Sequence, residues 1–272
     1  MIEKHSKKSP RILSVANQKG GVGKTTTTVN LATSLAAVGK KVLVMDLDPQ
    51  GNASTGFGVG YDRRDKGVYE VLFGDCALDD AITETQVPKL YIVSSSADLA
   101  GAELELIDVP NRESCIKTAI EKSEAEFDYI IFDCPPSLNL LTLNAFVASS
   151  GVIVPLQCEF YALEGVSHLV KTIGRVNDAY NPDLKLQGIV LTMFDKRNNL
   201  SLQVEEDVRG HFGDKVYKTV IPRNVRVSEA PSYGLPAIVY DMKCPGSQAY
   251  IKLAREVLKR EKAEKHANQE AA

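Results

Sequence analysis

The sequence predicts an α/β protein built on a doubly wound, mostly parallel sheet. Three observations carry that prediction. Short β-branched runs recur along the 272 residues, several of them apolar without interruption. The segments between them are mostly long enough to hold crossover helices, and the first run leads straight into a glycine-rich turn and a helical pattern. A strand that is apolar at nearly every position is covered on both faces, as parallel strands are beneath their crossovers.

Strands are expected at residues 11–16, 41–46, 90–93, 129–132, 151–155, 187–192 and 216–221. Helical spacing is clearest at 25–37, 163–176, 202–212 and 247–262; in the third of these Leu202, Val204, Val208 and Phe212 recur at roughly helical intervals. With no internal repeat and no low-complexity linker, residues 1–262 read as one domain. Residues 261–272 are polar and alanine-rich, and a frayed tail is expected from 263 onward.

Apolar residues make up 44% of the chain and charged residues 25%, an ordinary globular balance. The 32 basic and 35 acidic residues exclude a globally basic nucleic-acid binder but leave room for a local basic patch. The five cysteines, Cys76, Cys115, Cys134, Cys158 and Cys244, have neither the number of a disulfide framework nor the short paired spacing of a metal site. Residues 1–11 are polar, the apolar stretch that follows is too short for a signal core, and no apolar run reaches the roughly 18 residues of a membrane span. A cytoplasmic protein is expected.

The first chemical signal is Lys19-Gly20-Gly21-Val22-Gly23-Lys24-Thr25-Thr26, placed between the first strand and the first helix. Glycines let the backbone of Gly20, Gly21, Val22 and Gly23 wrap closely enough for its N–H groups to point at phosphate oxygens, and the helix start adds unpaired donors and the positive end of its dipole. Lys24 is placed to reach β- and γ-phosphates. Thr25 supplies a hydroxyl suited to Mg, a hard cation that prefers oxygen. Thr26, Thr27 and Thr28 are β-branched in a helix, which suggests that their hydroxyls answer to phosphate. Lys19 lies at the loop's start, outside the usual cradle; there it could reach the nucleotide of a facing subunit, or be no more than a lysine exposed at a turn.

Two acidic positions complete the site. Asp48 follows the second strand beside the loop and could orient the attacking water and touch the hydration shell of Mg. Asp46, two residues earlier, reads either as a brace for that loop through backbone hydrogen bonds or as a direct participant. Residues 129–132 end in Asp133-Cys134-Pro135-Pro136, which presents the Asp133 carboxylate to a metal-bound water in the Walker B manner. Cys134, with no histidine or second cysteine nearby in sequence, reads as core filler. The composite is a Mg-dependent, ATP-hydrolysing P-loop protein, and no second set of convergent polar residues marks a small-molecule acceptor.

Over nearly its whole length the chain resembles the ParA/Soj family of partition ATPases, within the deviant Walker A class that includes MinD. The resemblance is carried by the loop 19–26, by Asp46-Leu-Asp-Pro-Gln-Gly-Asn52, by Asp133-Cys-Pro-Pro136, by Leu191-Thr-Met-Phe-Asp195, and by residues 220–234. It implies that Lys19 is the signature lysine crossing an ATP-sandwich homodimer, Lys24 the phosphate lysine in cis, and Asp48 the catalytic aspartate. Pro222, in the fifth stretch, joins the nucleotide contacts. The resemblance further implies that the ATP dimer coats double-stranded DNA without sequence preference on the nucleoid, and that a centromere-binding partner stimulates a slow hydrolysis.

Arg197 and Arg223 are thereby placed on the DNA face, where arginines contact phosphates without reading base edges. Arg226 is a further candidate. Lys252, Arg255 and Lys259 share one helix face and read either as part of that stripe or as an ordinary solvated face. Unlike MinD, the chain has no large apolar residue at 262–272, so no membrane anchor is expected there. About ten residues precede the first strand, so an operator-binding domain is not expected, and Lys4, Lys7, Lys8 and Arg11 read either as a contact for DNA or the partner or, more simply, as a disordered basic tail. Two other functions stay open: a related ATPase that positions a non-DNA cargo along the nucleoid, and a scaffold that binds nucleotide without hydrolysis.

Overall fold

The computed structural model describes residues 9–270. Seven strands form one sheet: β1 (Arg11–Val15), β2 (Val42–Asp46), β3 (Thr83–Glu84), β4 (Leu90–Val93), β5 (Tyr129–Asp133), β6 (Gly151–Gln157) and β7 (Leu186–Thr192). Their order is β3-β4-β2-β5-β1-β6-β7, and every pairing is parallel except the short antiparallel edge β3–β4. The chain therefore builds outward on both sides of β1, the doubly wound arrangement that the sequence predicts.

Alternation along the strands divides the core in two. Leu43, Met45, Ile130, Phe132, Val154 and Leu191 face one layer, with Leu141, Phe146, Val166 and Leu169 packed on them. Leu13, Val15, Val42, Val44, Ile131 and Ile153 face the other, beneath Leu31, Leu35, Tyr250, Leu253 and Val257. With both faces covered, no strand residue had to be polar, which explains the uninterrupted apolar runs. Helix α1 (Lys24–Ala37) and the C-terminal helix (Pro245–Glu270) lie side by side in the second layer.

The first six expected strands and all four expected helices form, with bounds shifted by a few residues. Residues 216–221 do not form a strand. They run beside β7, with isolated bridging at Val216 and hydrogen bonds from Tyr217 N to Ile189 O and Ile221 N to Leu191 O, both 2.8 Å. Between those bonds the donors go elsewhere: the Glu256 carboxylate accepts Lys218 N at 2.8 Å and Thr219 N at 2.9 Å. Arg260 Nη2 holds the same carboxylate at 2.9 Å. A side chain from the C-terminal helix thus takes the place of a strand partner.

Residues 263–270, part of the stretch where a frayed tail is expected, continue the C-terminal helix to Glu270. Glu261 is buried and accepts hydrogen bonds from Arg11 Nε at 3.2 Å and from the Tyr129 hydroxyl, while Lys185 reaches Glu264 at 3.0 Å. Arg11 accordingly belongs to β1 and its ion pair with Glu261, not to a basic tail. Lys4, Lys7 and Lys8 lie outside the described residues. Leu253 and Val257 are fully buried, each contributing about 1.5–3 kcal/mol to holding this helix on the sheet.

Candidate nucleotide and nucleic-acid sites

The carboxyl ends of β1, β2 and β5 bring the predicted nucleotide residues together. Register pairs Asp133 with both Val15 and Asp46, so the loop after β1 stands beside the acidic ends of its neighbours. The loop 19–24 turns through left-handed backbone at Gly21 (φ 74°) and Gly23 (φ 84°). Open space surrounds Gly20 and Gly21 where a Cβ would stand. That combination leaves their backbone approachable by a bulky anion, as a phosphate cradle requires.

Lys24 begins α1, and its Nζ donates to Lys19 O at 3.1 Å across the mouth of the loop. Burial lowers its pKa, while the Asp133 and Asp48 carboxylates pull the other way. Asp133 is fully buried; Oδ1 accepts from the Thr28 hydroxyl at 2.9 Å, whereas Oδ2 is buried without a hydrogen-bond partner. Burial and then the neighbouring Asp46 raise its pKa, against the nearby Thr25 hydroxyl and the hydrogen bond from Thr28. A buried, half-satisfied carboxylate together with the Thr25 hydroxyl offers oxygen donors that fit a hydrated divalent cation.

Asp46 is a brace. Its Oδ2 accepts Ser54 N at 2.8 Å and Ser54 Oγ at 2.7 Å, and its Oδ1 accepts Asp48 N at 3.3 Å, so it fixes the turn that carries Asp48. The Asp48 carboxylate accepts Gln50 N at 3.0 Å through one oxygen. Gly51 closes the turn at φ 62°, and a Cβ there would stand 2.3 Å from the Arg64 guanidinium, which is itself buried and hydrogen-bonded to Val59 O. Arg64 gives the turn its back wall, and its sequence, an arginine among charged residues 62–66, carries no sign of this.

Thr27 and Thr28 depart from expectation. Both are fully buried; Thr28 serves Asp133, and the Thr27 hydroxyl lies 3.4 Å from the Tyr250 hydroxyl of the C-terminal helix. Their hydroxyls brace the site from within, leaving Thr25 and Thr26 on its accessible side. Cys134 is core filler, as expected, and burial pushes its thiol pKa up.

Lys19 is placed outside the cradle, its side chain half exposed, with its ammonium on Glu159 of the loop after β6. Sequence reasoning did not find Glu159, which lies 140 residues away. It also missed Thr192, whose hydroxyl donates to Val22 O at 2.8 Å and so ties the end of β7 to the phosphate loop. Beyond Thr192 the chain bends at Met193, a non-glycine residue at φ 49°. Phe194 then bridges Pro222, which puts Pro222 at the same end of the sheet as the loop.

The expected DNA residues are all exposed, but their surroundings differ. Arg197 is bound to Asp195 through two charge-assisted bonds, Nε to Oδ1 at 3.0 Å and Nη2 to Oδ2 at 2.9 Å. Arg226 pairs with Glu229 at 3.0 Å and lies 3.9 Å from Asp241. Among the described residues, no carboxylate forms an ion pair with Arg223, Lys252, Arg255 or Lys259. Lys252 lines a cavity of about 440 Å³ together with Lys196 and Lys218, two cations that the sequence reading passed over. No helix among the described residues is long and apolar enough to cross a membrane.

Comparison with known proteins agrees with this geometry. The AAA domain family model matches residues 10–186. The chromosome partitioning protein ParA of Caulobacter vibrioides is 56% identical over 254 residues, covering 93% of this chain and 95% of that one. The sporulation initiation inhibitor protein Soj of Bacillus subtilis is 51% identical, covering 91% and 98%. Among solved structures, cobyrinic acid a,c-diamide synthase from Mycobacterium smegmatis with bound ADP and magnesium superimposes with a TM-score of 0.82 at 39% identity, covering 94% of this chain and 97% of that one. Similarity on this scale, over nearly the whole of both chains, settles kinship: the chain belongs to the ParA/Soj/MinD family of deviant Walker A partition ATPases, and it binds and hydrolyses ATP with Mg.

Proposed function

We infer that the protein is an ATP-timed switch: two copies close around nucleotide, the dimer holds double-stranded DNA without sequence preference on the nucleoid, and a centromere-binding partition protein triggers hydrolysis and release. The supporting observation is the division of labour between the two loop lysines. Lys24 is buried at the start of α1 and serves its own loop, whereas Lys19 stands outside the cradle, half exposed, and free to exchange Glu159 for a phosphate presented by a second subunit. A monomeric hydrolase has no need of that second lysine.

Within such a dimer each residue has a defined task. Backbone N–H groups of residues 20–24 and the Lys24 ammonium bind and orient the phosphates. Thr25 would hold Mg directly and Asp133 through water, and Mg when bound neutralises charge on the β- and γ-phosphates. Asp48, fixed by Asp46 and Gly51, orients the attacking water, and the partner subunit's Lys19 adds positive charge where it develops in the transition state. Pro222 borders the nucleotide. Arg197 and Arg223, with Arg226 and the Lys252, Arg255, Lys259 face, meet DNA phosphates from the neighbouring surface.

Light scattering with ADP, with ATP and with a slowly hydrolysed ATP analogue tests the switch. The mass should double with ATP and the analogue but not with ADP. A mass that is the same in all three overturns this reading.

A further inference from the structure

Of the two arginines placed most firmly on the DNA face, one is already engaged. Arg197 is 91% exposed, yet its guanidinium edge is aligned in bidentate fashion on Asp195, two residues back in the chain. The same carboxylate also caps the turn, Oδ1 accepting Arg197 N at 3.0 Å. Arg223 adds the smallest of the contributions that hold the Asp195 carboxyl down. Arg223, by contrast, forms no ion pair among the described residues.

Asp195 is not a floppy surface acid. Its position is set by backbone bonds on either side: Phe194 N donates to Ile221 O at 2.9 Å, Arg223 N to Phe194 O at 3.3 Å, and Asn198 N to Asp195 O at 3.1 Å. The carboxylate is therefore held in place while the long Arg197 side chain comes to it. Arg197 holds its pKa down to about 2, so it stays ionised throughout the physiological range.

A carboxylate and a phosphodiester present the same pair of anionic oxygens to a guanidinium, and both favour the same fork of two parallel N–H bonds. The edge of Arg197 that would grip a DNA phosphate is the edge now on Asp195. We propose that Asp195 is an internal competitor of the DNA backbone, a phosphate mimic that must be displaced from Arg197 before that arginine contacts the duplex. Exposed ion pairs are weak, so the mimic lowers DNA affinity without abolishing it. Such a device keeps a single subunit's grip feeble and makes release easy, leaving Arg223 as the arginine that is free at first encounter. This inference rests on the DNA-binding reading above and specifies how its contact is set.

The test uses Asp195→Asn in the full chain, locked as a dimer with a slowly hydrolysed ATP analogue and titrated on two unrelated duplexes at several salt concentrations. Asparagine retains an Oδ1 acceptor for Arg197 N, so the turn survives and only the charge is removed. Affinity at fixed salt should rise about fivefold, from the loss of an exposed ion pair in each subunit. The log-affinity versus log-salt slope should steepen by up to roughly one per subunit, because Arg197 then meets its phosphate without leaving an uncovered carboxylate beside the duplex. In an Arg197→Ala background the same change should gain less than about twofold, because the competitor then has nothing to mask.

Weaker or unchanged binding by Asp195→Asn overturns the proposal, since a residue that merely orients Arg197 or shapes the turn yields that result. An equal gain in both backgrounds also overturns it, because Asp195 would then act as a simple repulsive charge. Failure of the unaltered, ATP-locked dimer to bind either duplex is a different result: it overturns the DNA-binding reading itself, and this inference with it.

Discussion

The phosphate loop and the arginine face lie at the same end of one sheet, yet they are built by opposite means. At the loop the chemistry sits in backbone and in buried groups: left-handed glycines, Lys24 across the loop mouth, and Asp133 fixed by Thr28. At the arginine face it sits in long exposed side chains, two of which, Arg197 and Arg226, already hold carboxylates of their own chain. A buried site loses much when one group is removed, because the remaining charges have no water to fall back on. An exposed one loses little per residue and depends on salt.

That contrast orders the expected effects. The largest is at Lys24, where replacement by glutamine removes the buried cation between Asp133 and Asp48. ATP affinity should fall by at least about 100-fold, and dimerisation and DNA binding with it. Calorimetry showing unchanged ATP affinity would place the nucleotide elsewhere and break the contrast at its stronger side.

Next comes Asp48→Ala. Asp48 contributes one oxygen to Gln50 N and is otherwise available to a water, so nucleotide binding should be spared while turnover drops about 100-fold. The ATP dimer should then be long-lived. Sizing after ATP addition decides it, and rapid return to the monomer mass would remove Asp48 from the hydrolytic role.

The smallest effects belong to the exposed face and sharpen its internal order. Arg223→Ala, removing an arginine with no ion pair among the described residues, should lower the salt slope of the ATP-locked dimer by about two, one contact per subunit. Arg226→Ala should change it by less than about one, because Arg226 is held by Glu229 and faces Asp241. Equal effects at the two positions would show that pairing within the chain does not decide which arginines reach DNA.

The same contrast governs what the sequence disclosed. Residues 19–26 specify their site locally, through glycine torsions and a helix start, so position in the chain was enough to find it. The six principal strands were legible because burial on both faces leaves an apolar run. Other features depend on partners distant in sequence: Glu159 on Lys19, Glu256 taking the donors of residues 218 and 219, and Glu261 on Arg11. A glutamate in a helical pattern looks the same whether it faces water or completes another segment, so neither the loss of the strand at 216–221 nor the helix beyond residue 262 is legible in the sequence. Thr27 and Thr28 were misread for a related reason, since a hydroxyl's partner is set by tertiary packing. Asp195 was closer to hand, an acid two residues before an arginine.

Thr192 and Met193 have a consequence in terms of linkage. The Thr192 hydroxyl is bonded to Val22 O, and the Met193 terminal methyl lies 3.7 Å from the place a Cβ on Gly23 would take. Two residues beyond Met193, past Phe194, stands Asp195. The phosphate loop and the turn that holds Arg197 are thus two ends of a four-residue span. Any coupling that this span carries is reciprocal: if nucleotide at residues 20–24 changes the hold on DNA by some factor, DNA changes the hold on that nucleotide by the same factor. A duplex that favours the ATP-bound chain is, for that reason, also a retainer of ATP.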